Sequence, residues 1–167
     1  MIEDYDTMMH TAEFLTELCD RLSLNLIFKS SYKKANRSSA KSATGPGIDD
    51  GIRLLQKIKE QFGVPICSDV HECKDVEIAS IVCDVLQIPA FLSRQTELIQ
   101  TAASTDKIVN IKKGQFMAPE DMRAASEKVK SVDNHKILLT ERGSSFGYHN
   151  LVVDFRAFSI MAELGYP

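Results

Sequence analysis

Two hydrophobic periods alternate along this chain. In residues 7–22 the apolar positions Met8, Ala12, Leu15, Cys19 and Leu22 recur at spacings of four and three, which predicts an amphipathic helix. A short β-rich run follows over 24–28 and ends in Lys29. The same succession then repeats. Helices are predicted over 49–62, 75–82, 96–103, 119–132 and 151–164, and strands over 64–68, 85–88, 108–111 and 137–139. Leu54, Leu55, Ile58 and Phe62 form the apolar face of the second helix, with Gly63 as its stop. Pro119 suits a first helical position because its missing N–H has no helical acceptor there. A helix followed by five βα units implies a parallel sheet with helices outside it, wound either as an open doubly wound sheet or as a closed barrel. No internal repeat, low-complexity stretch or linker interrupts residues 1–167, so they read as one domain.

In both windings the ligand site lies at the carboxyl ends of the strands. The first strand delivers Lys29 and then a long polar loop, 30–46, with Lys34, Asn36, Arg37 and Ser38. The second delivers Asp69 and His71; the third Gln87, with Arg94 further on; the fourth Asn110, Lys112 and Lys113; the fifth Glu141 and Arg142. Up to seven cations are thus expected on one rim. Crowded cations repel one another, and a phosphate, which accepts from several Lys and Arg donors at once, relieves that repulsion. Asp69, His71 and Glu141 are placed to handle protons or tune neighbouring groups. Asn110 reads as an inward-facing polar residue, and Gly45-Pro46-Gly47 as a turn before a helix. His10, His135 and His149 show no partner pattern and read as surface or structural.

The overall charge sharpens this picture. Twenty basic against 23 acidic residues leave a net charge of −3, so the cations at the strand ends are a local feature, and no broad basic footprint for nucleic acid exists. Cys19, Cys67, Cys73 and Cys83 lie in or beside apolar segments without a CxxC spacing, and read as buried core residues of a reduced, cytoplasmic protein. Cys67, His71 and Cys73 lack a fourth ligand at a usual spacing for a metal. No apolar run approaches the roughly 20 residues that span a bilayer, and the acidic, polar N-terminus is unlike a signal peptide.

The strand-end residues fall in strings. Phe28-Lys-Ser-Ser-Tyr-Lys-Lys-Ala-Asn-Arg-Ser-Ser39, Gly45-Pro-Gly47, Asp69-Val-His-Glu72, Leu86-Gln-Ile-Pro-Ala-Phe91 with Arg94-Gln-Thr96, Asn110-Ile-Lys-Lys-Gly-Gln-Phe116 and Glu141-Arg-Gly-Ser-Ser-Phe-Gly-Tyr148 resemble the 3-deoxy-D-manno-octulosonate 8-phosphate synthases. The resemblance runs through essentially the whole chain. It implies an α/β, aldolase-type TIM (β/α)8 barrel. It also implies a transferase that condenses phosphoenolpyruvate with arabinose 5-phosphate, releasing phosphate, in the biosynthesis of the sugar acid of lipopolysaccharide. Motif by motif, Lys29, Lys112 and Arg142 would hold phosphoenolpyruvate, with Gln87 and Ala90 lining that site. Lys34, Asp69 and His71 would take the catalytic positions, Lys34 between the two substrates. Asn36, Arg37 and Ser38 would bind arabinose 5-phosphate, with Arg94 reaching it from a neighbouring subunit of a homotetramer. Related seven-carbon synthases carry Pro where this chain has Asn36, which favours the five-carbon sugar phosphate.

A complete barrel of this kind takes roughly 250 residues, whereas five strands are predicted here. The resemblance therefore implies an incomplete barrel, its central portion. The metal ligands of the family's metal-dependent members would lie outside this chain. No cofactor and no metal site is expected within it, and the metal dependence of the complete enzyme stays open. Five strands cannot close an eight-stranded barrel, so two apolar edges are expected to lie open. The polypeptide alone is expected to fold poorly and to be inactive. A non-catalytic fragment that binds a phosphorylated ligand or a partner subunit is the competing reading.

Overall fold

The computed structural model describes residues 1–167, and its contacts divide the chain into two compact units, Met1–Asp69 with Glu77–Val85 and Val70–Val76 with Leu86–Pro167. In the first unit, α1 (Tyr5–Leu22) starts at Asp4, whose carboxylate accepts from the Thr7 backbone N–H at 2.8 Å and its hydroxyl at 2.7 Å. That side-chain acceptor satisfies a helix-end donor that has no partner within the helix. β1 (Phe28–Lys29) pairs in parallel with β2 (Ile66–Asp69), Phe28 opposite Ile66 and Lys29 opposite Cys67. Between them α2 (Ile48–Phe62) begins with Asp49 and Asp50 in its first turn, where acidic groups favour the positive end of the helix dipole. Lys59 near its end donates to both carboxylate oxygens of Asp84, at 2.7 and 2.8 Å, and Asp84 Oδ2 in turn accepts from the Ile66 N–H at 2.9 Å. This ties the end of α2 to the start of β2.

α3 (Cys73–Val82) leads to β3 (Val85–Ile88). In the second unit α4 (Thr96–Ala103) packs on α5 (Met122–Lys130), β4 (Ile108–Lys112) pairs in parallel with β5 (Ile137–Thr140), and α6 (Arg156–Ala162) follows. The β4–β5 register runs from Val109 opposite Ile137 to Lys112 opposite Thr140. Buried Asn134 donates to Ala103 O at 2.8 Å and Lys107 O at 2.9 Å and accepts from Lys136 N–H at 2.8 Å. One amide thereby fixes both the entry to β4 and the entry to β5.

The strand order is β1-β2-β3-β4-β5, without a reversal. A doubly wound sheet changes direction at a switch point. Sequential parallel winding is instead that of part of an aldolase-type (β/α) barrel. No helix is long and apolar enough to cross a membrane.

Three predicted elements differ in extent. The first strand is confined to Phe28–Lys29, because a strand extends only as far as its hydrogen-bonding partner, and Leu24 and Ile27 stay exposed. The last helix begins at Arg156 and not at 151, because Val152 pairs with Ser144 in an antiparallel bridge and Asp154 accepts from the Arg156 N–H at 3.0 Å. Pro119 opens a 3-10 turn, Pro119–Asp121, ahead of α5. Burial also departs from the predicted faces. In α1 only Met8 and Ala12 are buried, while Leu22 is 55% exposed. α2 buries Ile52, Leu55 and Ile58, with Leu54 and Phe62 half-covered. All four cysteines are free thiols, but only Cys67 and Cys83 are buried; Cys19 and Cys73 are partly exposed because they lie on the less covered sides of α1 and α3.

Large apolar side chains are exposed in both units, among them Phe14, Leu22, Leu24 and Ile27 in the first and Phe146, Leu151, Phe155 and Phe158 in the second.

The tightest approach in the first unit is at Gly51 of α2, where an added Cβ would stand 2.4 Å from Cβ of the fully buried Tyr32. In an open helix Ala would be favoured over Gly by about 1 kcal/mol. Here we expect Gly51→Ala to destabilise by about 1–3 kcal/mol in a urea titration; a neutral or stabilising result would show that the Tyr32 contact yields.

Candidate functional site

The first unit carries one ionic cluster. Parallel pairing of β1 and β2 brings their carboxyl ends to the same edge, so Lys29, which ends β1, and Asp69, which ends β2, meet there. Lys29 Nζ lies 3.1 Å from Asp69 Oδ1, and Lys34 Nζ lies 3.1 Å from Oδ2. Ser31 links the group: its hydroxyl donates to Asp69 Oδ2 at 2.8 Å and accepts from Lys29 Nζ at 2.7 Å. Asp69 is buried, with its side chain 5% exposed, while the two lysine side chains reach solvent at 32% and 28%. One buried carboxylate thus holds two ammonium groups whose other faces are open, and the cluster keeps a net positive charge.

Burial pushes the Asp69 carboxyl up, but the Lys29 ammonium, the Ser31 hydroxyl and the Lys34 ammonium together outweigh it, and the group titrates well below the usual carboxylate range. An acid held ionised in this way is a poor proton donor and a weak base near neutral pH. Its two oxygens hold the two lysine ammonium groups in place.

The loop after Lys34 is pinned at its base by Lys34 N–H to Thr44 O at 2.7 Å and Gly47 N–H to Tyr32 O at 3.2 Å. Gly45-Pro46-Gly47 forms the turn into α2, as expected, with φ of +104° and +90° at the two glycines. Asn36, Arg37 and Ser38 project on the exposed stretch between. They make no hydrogen bond to the Asp69 cluster, and Arg37 Nη2 approaches Met1 Sδ at 3.6 Å.

The second unit carries a polar ladder across its strands. Asn110 Nδ2 donates to Gln87 Oε1 at 3.1 Å, and the Thr140 hydroxyl donates to Asn110 Oδ1 at 2.7 Å. Gln87 is buried, and its backbone carbonyl accepts from the Val70 N–H at 3.0 Å, next to half-buried His71. Ala90 is buried at the start of a 3-10 turn. Side chains alternate along a strand, so Lys112 shares the ladder face with Asn110, two residues before it. Arg142 follows Thr140 by two residues, is half-buried and makes no hydrogen bond or ion pair, which leaves its guanidinium open to an anion.

Two expected rim residues are not on the rim. Lys113 is 1% exposed and pairs with Glu141 at 3.6 Å, both side chains being 2% exposed. The alternation that sends Lys112 to the ladder face sends Lys113 to the face of buried Val109 and Ile111, where its charge needs a carboxylate. Glu141 is that carboxylate, and the pair lines one side of a cavity of about 380 Å³ with Met117 and Ser144. Arg94 is exposed; its carbonyl accepts from Lys128 Nζ at 2.8 Å, and both residues line a cavity of about 410 Å³ with Ser93 and Phe116. Burial and the Arg94 guanidinium hold Lys128 below its ordinary value. No three His, Cys, Asp or Glu side chains converge on a common point.

Ser31 and Thr140 are not among the strand-end residues named from the sequence. The signal for both is positional: each lies two residues from a strand-end cation, Ser31 after Lys29 and Thr140 before Arg142.

A sequence profile described as the DAHP synthetase I family matches residues 1–167. Among curated proteins, the chain is 54% identical over 167 residues to 2-dehydro-3-deoxyphosphooctonate aldolase of Trichlorobacter lovleyi, covering 100% of this chain and 61% of that one. It is 53% identical to the protein of the same name from Citrifermentans bemidjiense, with the same coverage. It is 51% identical over 166 residues to that of Acidithiobacillus ferrooxidans, covering 99% of this chain and 59% of that one. The chain therefore spans about three-fifths of the length of the curated relatives it matches.

The Asp69 cluster has a pH signature. Because the folded carboxyl titrates below its unfolded value of about 3.9, the stability it contributes is complete above roughly pH 4 and is lost as pH falls below that toward the folded value. We expect Asp69→Asn to lower stability at pH 7 by about 1–3 kcal/mol, with the gap from wild type narrowing by pH 3. Denaturant titrations at the two pH values check this, and an equal gap at both would mean that the lysines do not depress Asp69.

Proposed function

We propose, since this chain belongs to the DAHP synthetase I family, that it is the substrate-holding part of an enzyme that condenses phosphoenolpyruvate with arabinose 5-phosphate and releases phosphate. The observation that carries this reading is identity of 51–54% along the whole chain with proteins named 2-dehydro-3-deoxyphosphooctonate aldolase. The site geometry supports it. Lys29 and Lys34 are aimed by one ionised carboxylate, and Arg142 has no partner of its own.

In this reading Lys29, Lys112 and Arg142 take the phosphate and carboxylate of phosphoenolpyruvate, with Gln87 and Ala90 shaping the floor. Charge develops on the aldehyde oxygen when carbon 3 of phosphoenolpyruvate attacks it. Lys34, still partly exposed beside Asp69, is suited to stabilise that charge, because fixed donors need no reorganisation as it forms. Water adds at carbon 2, and phosphate leaves with cleavage of the C–O bond. Asp69 acts through the two lysines, and His71 lies beside the floor at the end of β2. Asn36, Arg37 and Ser38 bind the sugar phosphate from the exposed loop. Arg94 reaches the sugar phosphate of a neighbouring subunit in a homotetramer, its cavity with Lys128 offering a second cationic surface. The product enters lipopolysaccharide biosynthesis, and the protein is cytoplasmic. The large apolar side chains exposed in both units favour one further reading, a fragment that binds a phosphorylated ligand or a partner subunit without turnover.

Calorimetry separates these readings. We expect phosphoenolpyruvate to bind, with Arg142→Met weakening it by about 1.5–3 kcal/mol, the range for a lost charge-assisted hydrogen bond. Arg37→Ala should weaken arabinose 5-phosphate and leave phosphoenolpyruvate unchanged. Phosphate release with both substrates would establish the synthase, whereas binding without release would favour the fragment. Tighter binding of erythrose 4-phosphate than of arabinose 5-phosphate would overturn the role given to Asn36 and point to the seven-carbon synthase.

A further inference from the structure

The buried Lys113–Glu141 pair is used by none of the chemistry above. An ammonium and a carboxylate cost free energy to bury, and an apolar pair of similar volume would often stabilise a core as well. What the pair supplies is direction. Lys113 Nζ sits among the carbonyl oxygens of Met117 at 3.2 Å, Gly143 at 3.3 Å and Gly114 at 3.4 Å, with the Ser144 hydroxyl at 3.4 Å and Glu141 Oε1 at 3.6 Å. These are long contacts, so three protons are shared among several oxygens in an electrostatic cage. Two of the carbonyls belong to the turn after β4, and Gly143, Ser144 and Glu141 belong to the turn after β5.

Other bonds close the same structure. Lys113 N–H donates to Thr140 O at 2.8 Å, and Ser145 N–H donates to Gln115 O at 3.1 Å. Glu141 Oε1 also accepts from the Gly143 N–H. Gly143 has φ +84°, and an added Cβ there would meet Leu151 Cδ1 at 2.9 Å and Val152 O at 3.0 Å, so the turn has one backbone path and room for no side chain. Glu141 Oε2 is buried without a hydrogen-bond partner. Tolerating such a group in a core argues for a purpose other than stability.

Each member of the pair is the chain neighbour of a cation assigned to phosphoenolpyruvate: Lys113 follows Lys112, and Glu141 precedes Arg142. We propose that Lys113 and Glu141 are positioning residues, a neutral buried clamp that joins the two turns and so fixes the separation of Lys112 and Arg142 for one anion. The clamp is internally neutral, so it orders those cations without competing for the ligand. The inference rests on the reading of Lys112 and Arg142 as anion-binding residues.

The test uses the whole chain and Lys113→Met combined with Glu141→Leu, because removing both charges avoids leaving one buried alone; Lys113→Met by itself serves as the unpaired control. Melting, calorimetry with phosphoenolpyruvate and with arabinose 5-phosphate, and amide exchange over residues 142–145 are measured. We expect the double variant to melt within about 5 °C of wild type. Phosphoenolpyruvate affinity should fall about tenfold or more, as misplacement of a binding group does, with arabinose 5-phosphate affinity unchanged and exchange over 142–145 accelerated. A double variant that melts near wild type and also regains wild-type phosphoenolpyruvate affinity, or shows unchanged exchange, overturns the clamp. If wild type binds phosphoenolpyruvate but Lys112→Met and Arg142→Met both bind it equally well, the anion site assigned to them fails, and with it the role built on that site.

Discussion

Neutralisation of charge where water is scarce is the constraint on which the rest of the site depends. Parallel strands deliver their last residues to one edge, and here those residues are mostly cations. Side by side they would repel, and the strand ends would splay. Asp69 prevents this in the first unit. Its side chain is 5% exposed, and it engages Lys29, Lys34 and Ser31 at once. The two lysines and the Ser31 hydroxyl together offset the cost of burying that carboxylate, so the site and the local fold are maintained by the same contacts.

The second unit answers the same constraint in a different way. Strand alternation sorts adjacent residues onto opposite faces, and two consecutive lysines therefore meet different environments. Lys112 stays on the face of the Gln87–Asn110–Thr140 ladder, while Lys113 enters the core and is matched by Glu141. A single Lys-Lys pair in the sequence thus divides into a residue suited to an anion and a residue suited to holding a turn. Glu141 and Arg142 divide in the same manner.

β1 pairs over Phe28–Lys29 alone, and the residues just before it, Leu24 and Ile27, stay exposed. The named relatives are longer, and this chain spans 61% of the first of them.

The order of the α-helices and strands, the parallel sheet, and the strand-end strings that carry the family resemblance were legible in the amino-acid sequence, though the 3-10 turns were not. The reason is that helical and strand periods are local properties of the backbone, and strings such as Asn110-Ile-Lys-Lys113 are contiguous. Sequential winding, the short β1 and the late start of α6 were not, since each depends on which segment supplies the pairing partner, as Val152 does for Ser144. The role of each charge was equally out of reach. Lys113 looked like its neighbour Lys112, and for Asp69 the sequence left two roles open, handling protons or tuning its neighbours. What distinguishes them is the company of groups about 30 to 40 residues away, Glu141 and Gly143 for Lys113 and Ser31 and Lys34 for Asp69. Electrostatic free energy is set by distance and burial, and only the tertiary structure decides those.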